Sequence, residues 1–227
     1  MKKEKNNMAT KTTKQETIIE IRPIETEIIP IRIVGDTPLI VHAWSEKAKR
    51  MMLEAQMKTT KTKAKEIRDP FDDFIQSLYW LSGKPEESTP EAFDNAIRNG
   101  AKFGFPVGAI KLAANAAAYR NGWVKNQMGL RGAYFLKTKH GEMAEIQGCV
   151  PEMREDMVRI GMGSADLRYR GEFKNWFMEF DLEYNKNCDM TAEQIINCLN
   201  AGGYSVGIGE WRPEKDGQFG MFHIEAK

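Results

Sequence analysis

Apolar and polar residues alternate with a period of two in two parts of the chain and recur at helical spacing in several others. Ile19 and Ile21 alternate with Glu20 and Arg22, and Ile29, Ile31 and Ile33 repeat the pattern ahead of Gly35, Asp36, Thr37 and Pro38 and an apolar run over residues 39–43. This predicts an opening β unit with a turn. Ser45 is placed to cap a helix with Ala48, Met51, Met52 and Ala55 on its apolar face. A second short helix is predicted over residues 71–81, and a third starts at Thr89 and Pro90, buries Phe93 and Ile97, and stops at Gly100. Residues 105–120 carry Ile110, Ala113, Ala114 and Ala117 at helical spacing and end at Asn121 and Gly122; their alanines permit close packing on a sheet.

Mixed strand signals cover residues 132–150. Trp176, Met178, Phe180, Leu182 and Tyr184 then alternate with Phe177, Glu179, Asp181 and Glu183, a strand with one solvated face. Thr191 and Gln194 form a capping box for a helix presenting Ile195, Ile196 and Leu199 and ending at Gly202 and Gly203. A glycine-rich loop follows, and residues 219–224 read as a closing strand. The order reduces to βαββαβ, an α+β, ferredoxin-like core with a helical insertion at about residues 44–104 after the first β unit. Residues 1–15 are polar and lysine-rich without periodicity, a disordered basic arm, which leaves residues 16–227 as a single domain.

Composition narrows the function classes. Cys149, Cys188 and Cys198 have no CxxC spacing and sit with only three histidines, so neither a disulfide framework nor a zinc site is expected, and a cytoplasmic setting fits. No apolar run approaches the roughly 20 residues of a membrane span. Asp69, Asp72 and Asp73 complement the dipole at a helix start more simply than they bind a metal. No metal or cofactor is expected. The net charge of +1 is uninformative, but residues 98–140 contain no Asp or Glu while holding Arg98, Lys102, Lys111, Arg120, Lys125, Arg131, Lys137 and Lys139. Tyr119, Trp123 and Tyr134 are interleaved with those cations, the combination that contacts phosphates and stacks on bases in single-stranded nucleic acid.

Two glycine-punctuated segments add to this surface. Residues 159–171 contain Arg168 and Arg170, and residues 202–220 contain Trp211 and Arg212 among six glycines. Glycine lets a backbone approach a phosphate closely, although the second segment is not a Walker A loop and precedes no helix. Lys111, Arg120, Lys125, Arg131, Arg168, Arg170 and Arg212 are the expected phosphate contacts; Trp123, Tyr134 and Trp211 are the expected stacking residues.

Three stretches resemble the repeat-associated RNA-binding (RAMP) superfamily of CRISPR effector proteins, and within it the backbone subunits that polymerise along a guide RNA. They are Ile-Arg-Ile-Val-Gly-Asp-Thr-Pro-Leu-Ile from residue 31, Phe-Pro-Val-Gly-Ala-Ile-Lys-Leu-Ala from residue 105, and the glycine-rich loop with the last strand over residues 203–222. Small phage-encoded proteins are similar. The resemblance implies head-to-tail association into a homo-oligomer or filament on single-stranded RNA or DNA, RNA before DNA, with little sequence preference. No catalytic residue is assigned on this reading. Two rivals differ in class: a metal-independent endoribonuclease of the same superfamily using His42, and a protein-interaction or inhibitor module whose basic stretch docks an acidic partner.

Overall fold

The isoleucines that alternate up to Ile33 form the middle of β1 (Thr26–Gly35), the strand around which the fold is assembled. A computed structural model describes residues 23–57, 68–161 and 163–225. The basic arm, the Ile19–Ile21 alternation and the lysine run over residues 58–65 lie outside the described residues. Among these, the chain is mixed α+β with six α-helices and three antiparallel sheets.

β1 pairs along its length with β9 (Phe177–Asn185), from Thr26 opposite Asn185 to Val34 opposite Phe177. The short β10 (Phe222–Ile224) flanks β1, and β5 (Tyr134–Lys137) flanks β9, giving the order β10-β1-β9-β5. Period two places Ile31, Ile33, Met178, Phe180, Leu182, Tyr134 and Leu136 on the buried face. Glu179 and Asp181 lie on the other face, with Lys137 paired to Glu183 there.

Two helices pack together against the core. α4 (Val107–Arg120) buries Ile110, Ala113, Ala114 and Ala117; α6 (Ala192–Ser205) buries Ile195, Cys198 and Leu199 and begins with the expected Thr191–Gln194 capping box. α6 does not stop at Gly202 and Gly203. Both glycines are helical and buried, and a Cβ at Gly202 would stand 2.7–2.8 Å from the Ala113 and Ala114 backbone, so glycine here serves helix-to-helix approach rather than termination. The chain leaves the helix only before Gly207, where φ is +67°. Gly202→Val is therefore expected to lower the unfolding free energy by about 1–3 kcal/mol or more through overpacking, read from the urea midpoint.

The insertion is not wholly helical. α1 (Glu46–Gln56), capped by Ser45, leaves Met51, Met52 and Leu53 exposed, so its apolar side is not a core face. α2 (Pro70–Ser77) is shorter than expected, because the chain extends at Leu78 and Trp80–Ser82 becomes β3. β3 pairs with β4 (Lys102–Pro106), with the Trp80 and Phe103 rings 4.8 Å apart and Gly104 N–H donating to the Tyr79 carbonyl. α3 (Pro90–Arg98) lies between them, and β6 (Met143–Ile146) completes a sheet of order β3-β4-β6.

Residues 159–160 and 164–171 of the glycine-punctuated segment belong to a regular hairpin. β7 (Glu152–Ile160) pairs with β8 (Ser164–Phe173), and β2 (Leu39–Val41) joins the far side of β8. One hydrophobic cluster includes Ile33, Phe173 and Ile146 and so reaches all three sheets. Among the described residues no helix is long and apolar enough to cross a membrane.

Candidate nucleic-acid interface

The acid-free segment becomes the exposed side of α4 and the chain that follows it. α4 turns its alanines inward, so Leu112, Tyr119 and Arg120 face outward. The helix ends at Asn121 and Gly122, whose φ of +71° suits glycine, and Trp123 emerges 52% exposed. Lys125 follows, then the single turn α5 (Met128–Arg131), where Leu130 is buried while Met128 and Arg131 remain exposed. Lys125 and Arg131 have no carboxylate within ion-pair distance among the described residues. Tyr119 and Trp123 thus lie exposed in the same stretch of chain as two cations without a carboxylate partner among the described residues, the residue types that stack on bases and contact phosphates.

Other expected contacts have different work. Lys111 is tied down: its ammonium donates to the carbonyls of Arg131 (2.8 Å) and Tyr134 (2.6 Å) and lies 4.4 Å over the Phe135 ring. Partial burial lowers its pKa. Lys111 thus joins α4 to the start of β5 and is a correction to its reading as a free phosphate contact. Tyr134 is a second correction, for it is fully buried with its hydroxyl donating to Asn115 Oδ1 at 2.9 Å. Burial raises its pKa and leaves no ring face for a base.

Arg170 is a third correction. It is 2% exposed on β8, held by Asp156 of β7 at 3.1 Å and by Glu210 at 3.5 Å. A guanidinium so enclosed holds the hairpin to the glycine-rich loop and cannot reach a phosphate. Arg168, half-buried, pairs loosely with Asp166 at 3.5 Å. Arg120 and Arg212 share Glu214, at 2.6 and 2.9 Å, and Arg212 also donates to the Gly209 carbonyl. The pair keeps one net positive charge and a fixed orientation.

The glycine-rich loop is a compact knot. Positive φ at Gly207, Gly209 and Gly220 lets it fold back on itself and on β2: Ile208 N–H donates to Gly220, Gly220 N–H to Pro38, and Glu210 N–H to Ile40. Val206 and Ile208 are buried. Trp211 is a non-glycine residue with φ of +52°, and its carbonyl accepts from Phe219 N–H at 3.0 Å. Such a backbone costs about 1–3 kcal/mol and persists only where its surroundings impose it; here it leaves Trp211 38% exposed. A groove of about 260 Å³ runs between α4 and this loop, with Leu112 and Ala116 on one wall, Gly207 and Gly209 on the other, and the Arg120–Glu214–Arg212 trio beside them. Its Arg120 corner is next in sequence to Tyr119 at the end of α4.

His42 follows β2 with Nδ1 3.9 Å from Glu210. Burial, then the charge of Arg170, pushes its pKa below the ordinary 6.5, against the opposing pull of Glu210. The folded chain therefore resists taking this proton where the unfolded chain accepts it, and stability is lost as pH falls through 6.5. His42→Gln is expected to make unfolding midpoints less sensitive to pH just below 6.5; an unchanged pH profile would remove His42 from this role. Among the described residues no group of His, Cys, Asp and Glu is arranged to hold a metal ion.

Sequence reasoning singled out Trp123, Lys125, Arg131 and Trp211 from local composition, and all four are at least partly exposed. It missed Glu214 as the shared partner of two arginines, and the gathering of Trp44, Arg68 and Tyr169 from three distant segments, for which no local signal exists. No protein-family model matches the chain and no curated protein matches it significantly in sequence.

Proposed function

We propose that this protein binds single-stranded nucleic acid, RNA before DNA, along the surface formed by α4, the Trp123–Arg131 segment and the glycine-rich loop. The observation that carries the reading is that Tyr119, Trp123, Lys125 and Arg131 are all exposed in one stretch of chain without an acidic residue. Cations of this kind neutralise phosphates and exposed rings stack on bases, which gives affinity without sequence preference.

The strand order β10-β1-β9-β5, with α4 between β1 and β5 and α6 between β9 and β10, supports a ferredoxin-like βαββαβ core. That core, together with the glycine-rich loop, supports membership of the RAMP superfamily. Head-to-tail polymerisation along the strand, in a cytoplasmic setting, belongs to the same proposal. The test is sizing of complexes on single-stranded RNA and DNA of increasing length, with duplex DNA as control. Complexes that gain copies as the strand lengthens are expected. One copy per strand at every length would refute polymerisation, and preference for the duplex would refute the single-strand reading.

A further inference from the structure

A second cavity, of about 340 Å³, opens between the segment after β2, α1, the middle and end of α2, and β8. Its volume falls at the lower end of the about 300–1,000 Å³ typical of ligand sites. Trp44, 62% exposed, and Tyr169 supply ring faces, and Met52 supplies an adaptable apolar wall. Its polar groups include His42, Arg68, Asp73, Gln76 and Arg168; the Ser45 and Ser77 hydroxyls that also line it are bonded to backbone.

The charges in this cavity are already matched. Arg68 pairs with Asp73 and, at 2.9 Å, with Asp166, which also takes Arg168 at 3.5 Å. His42 is held toward its neutral form by burial. Among the described residues that line it, no cation is left over for a phosphate, whereas the guanidinium N–H groups outside those pairs and the His42 imidazole offer directional hydrogen bonds beside aromatic walls; the Gln76 amide is already engaged by Asp72 at 3.2 Å and Lys84 at 2.9 Å. A purely apolar ligand would leave those polar groups unmatched. An uncharged, planar heterocycle uses both.

The cavity also has a defined place relative to the strand surface. Glu210 faces His42 at its edge, the Glu210 amide is bonded to Ile40, and the next two residues are Trp211 and Arg212. The glycine-rich loop therefore separates the α4 groove, with its arginines, from this charge-balanced cavity. We propose that the cavity receives one unstacked nucleobase from a strand crossing the loop, a role that rests on the single-strand reading above.

The full chain is tested with adenosine, uridine and ribose 5-phosphate by saturation-transfer NMR on ligand protons, and in parallel for retention of single-stranded RNA. Both nucleosides are expected to bind and ribose 5-phosphate is not. Trp44→Ala should weaken nucleoside binding by about 5- to 150-fold, the equivalent of one base–aromatic stack, and Trp44→Phe should restore most of it. Trp44 is exposed, so neither variant threatens the core. Nucleoside binding indifferent to Trp44→Ala, equal binding of ribose 5-phosphate, or no nucleoside binding by a chain that retains RNA would each overturn the cavity assignment. The last would leave the strand-binding reading intact. Nucleoside binding lost with Trp44 in a chain that does not retain RNA would refute strand binding and with it the cavity's role on a strand, leaving a site for free nucleosides.

Discussion

Arg170→Ala is expected to lower the unfolding free energy by about 3 kcal/mol, near the bottom of the about 3–5 kcal/mol seen when a buried ion pair loses one partner. Arg170 is 2% exposed and stands between Asp156, itself 7% exposed, and Glu210. Its removal leaves a buried carboxylate short of one partner and opens a cavity the size of a large side chain. Two features hold the cost down. Arg154 Nε still donates to Asp156 at 2.8 Å, and Glu210 is exposed enough to be hydrated. The urea midpoint reads the loss, and Asp156→Asn in the same chain should cost less in the Arg170→Ala background than alone, the sign of direct coupling. A loss below about 1 kcal/mol, within the range of ordinary surface substitutions and their neighbours, would show that Arg170 does not hold the hairpin to the loop. Retained stability with lost strand binding would instead return Arg170 to the phosphate-contacting role that its burial denies.

Trp123→Ala is expected to weaken single-strand binding by about 5- to 150-fold, from the roughly 1–3 kcal/mol of one base–aromatic stack. Lys125→Ala and Arg131→Ala act differently: each should reduce the slope of log affinity against log salt by about 0.7, one phosphate contact on a single strand. The three side chains are exposed, so unfolding free energies should change by no more than about 0.5 kcal/mol. Affinity and salt slope both unchanged in the triple variant would remove this segment from the interface. Tyr134→Phe provides the contrast, because it removes a buried hydroxyl from Asn115 and should affect stability without affecting binding.

The contrast between Trp123 and Tyr134 shows how much of the site the sequence conveys. Both aromatics lie among cations in the same acid-free stretch, and composition alone treats them alike. Period two separates them: Tyr134 shares a strand face with Leu136, and both are buried, while Phe135 and Lys137 are exposed. Trp123 lies just past a helix stop and has no such partner. Local signals read well elsewhere too. The caps at Ser45, Thr89 and Thr191 each accept the backbone N–H expected of them, and the alternation in β1 and β9 is the central pairing of the fold.

What the sequence conceals depends on partners far along the chain. Gly202 reads as a helix stop until Ala113 and Ala114 are known to lie against it. Trp80 continues a helical pattern, yet three residues of strand form there because β4 supplies the pairing and Phe103 the packing. Arg170 resembles any cation in a glycine-punctuated segment until Asp156 and Glu210 enclose it. Of the cations expected at phosphates, Lys125 and Arg131 have no carboxylate partner among the described residues, Arg120 and Arg212 share one, Arg168 pairs loosely with Asp166, and Lys111 and Arg170 are committed to the fold.

The central claim is tested most directly by the affinity of the purified chain for a labelled single-stranded RNA across a salt series, with Trp123→Ala in parallel. A linear fall of log affinity with log salt, with the variant's line displaced to weaker binding at the same slope, is the predicted result. No retention at the lowest salt, or retention that is indifferent to salt and to Trp123, would contradict it and favour a surface that docks an acidic protein partner.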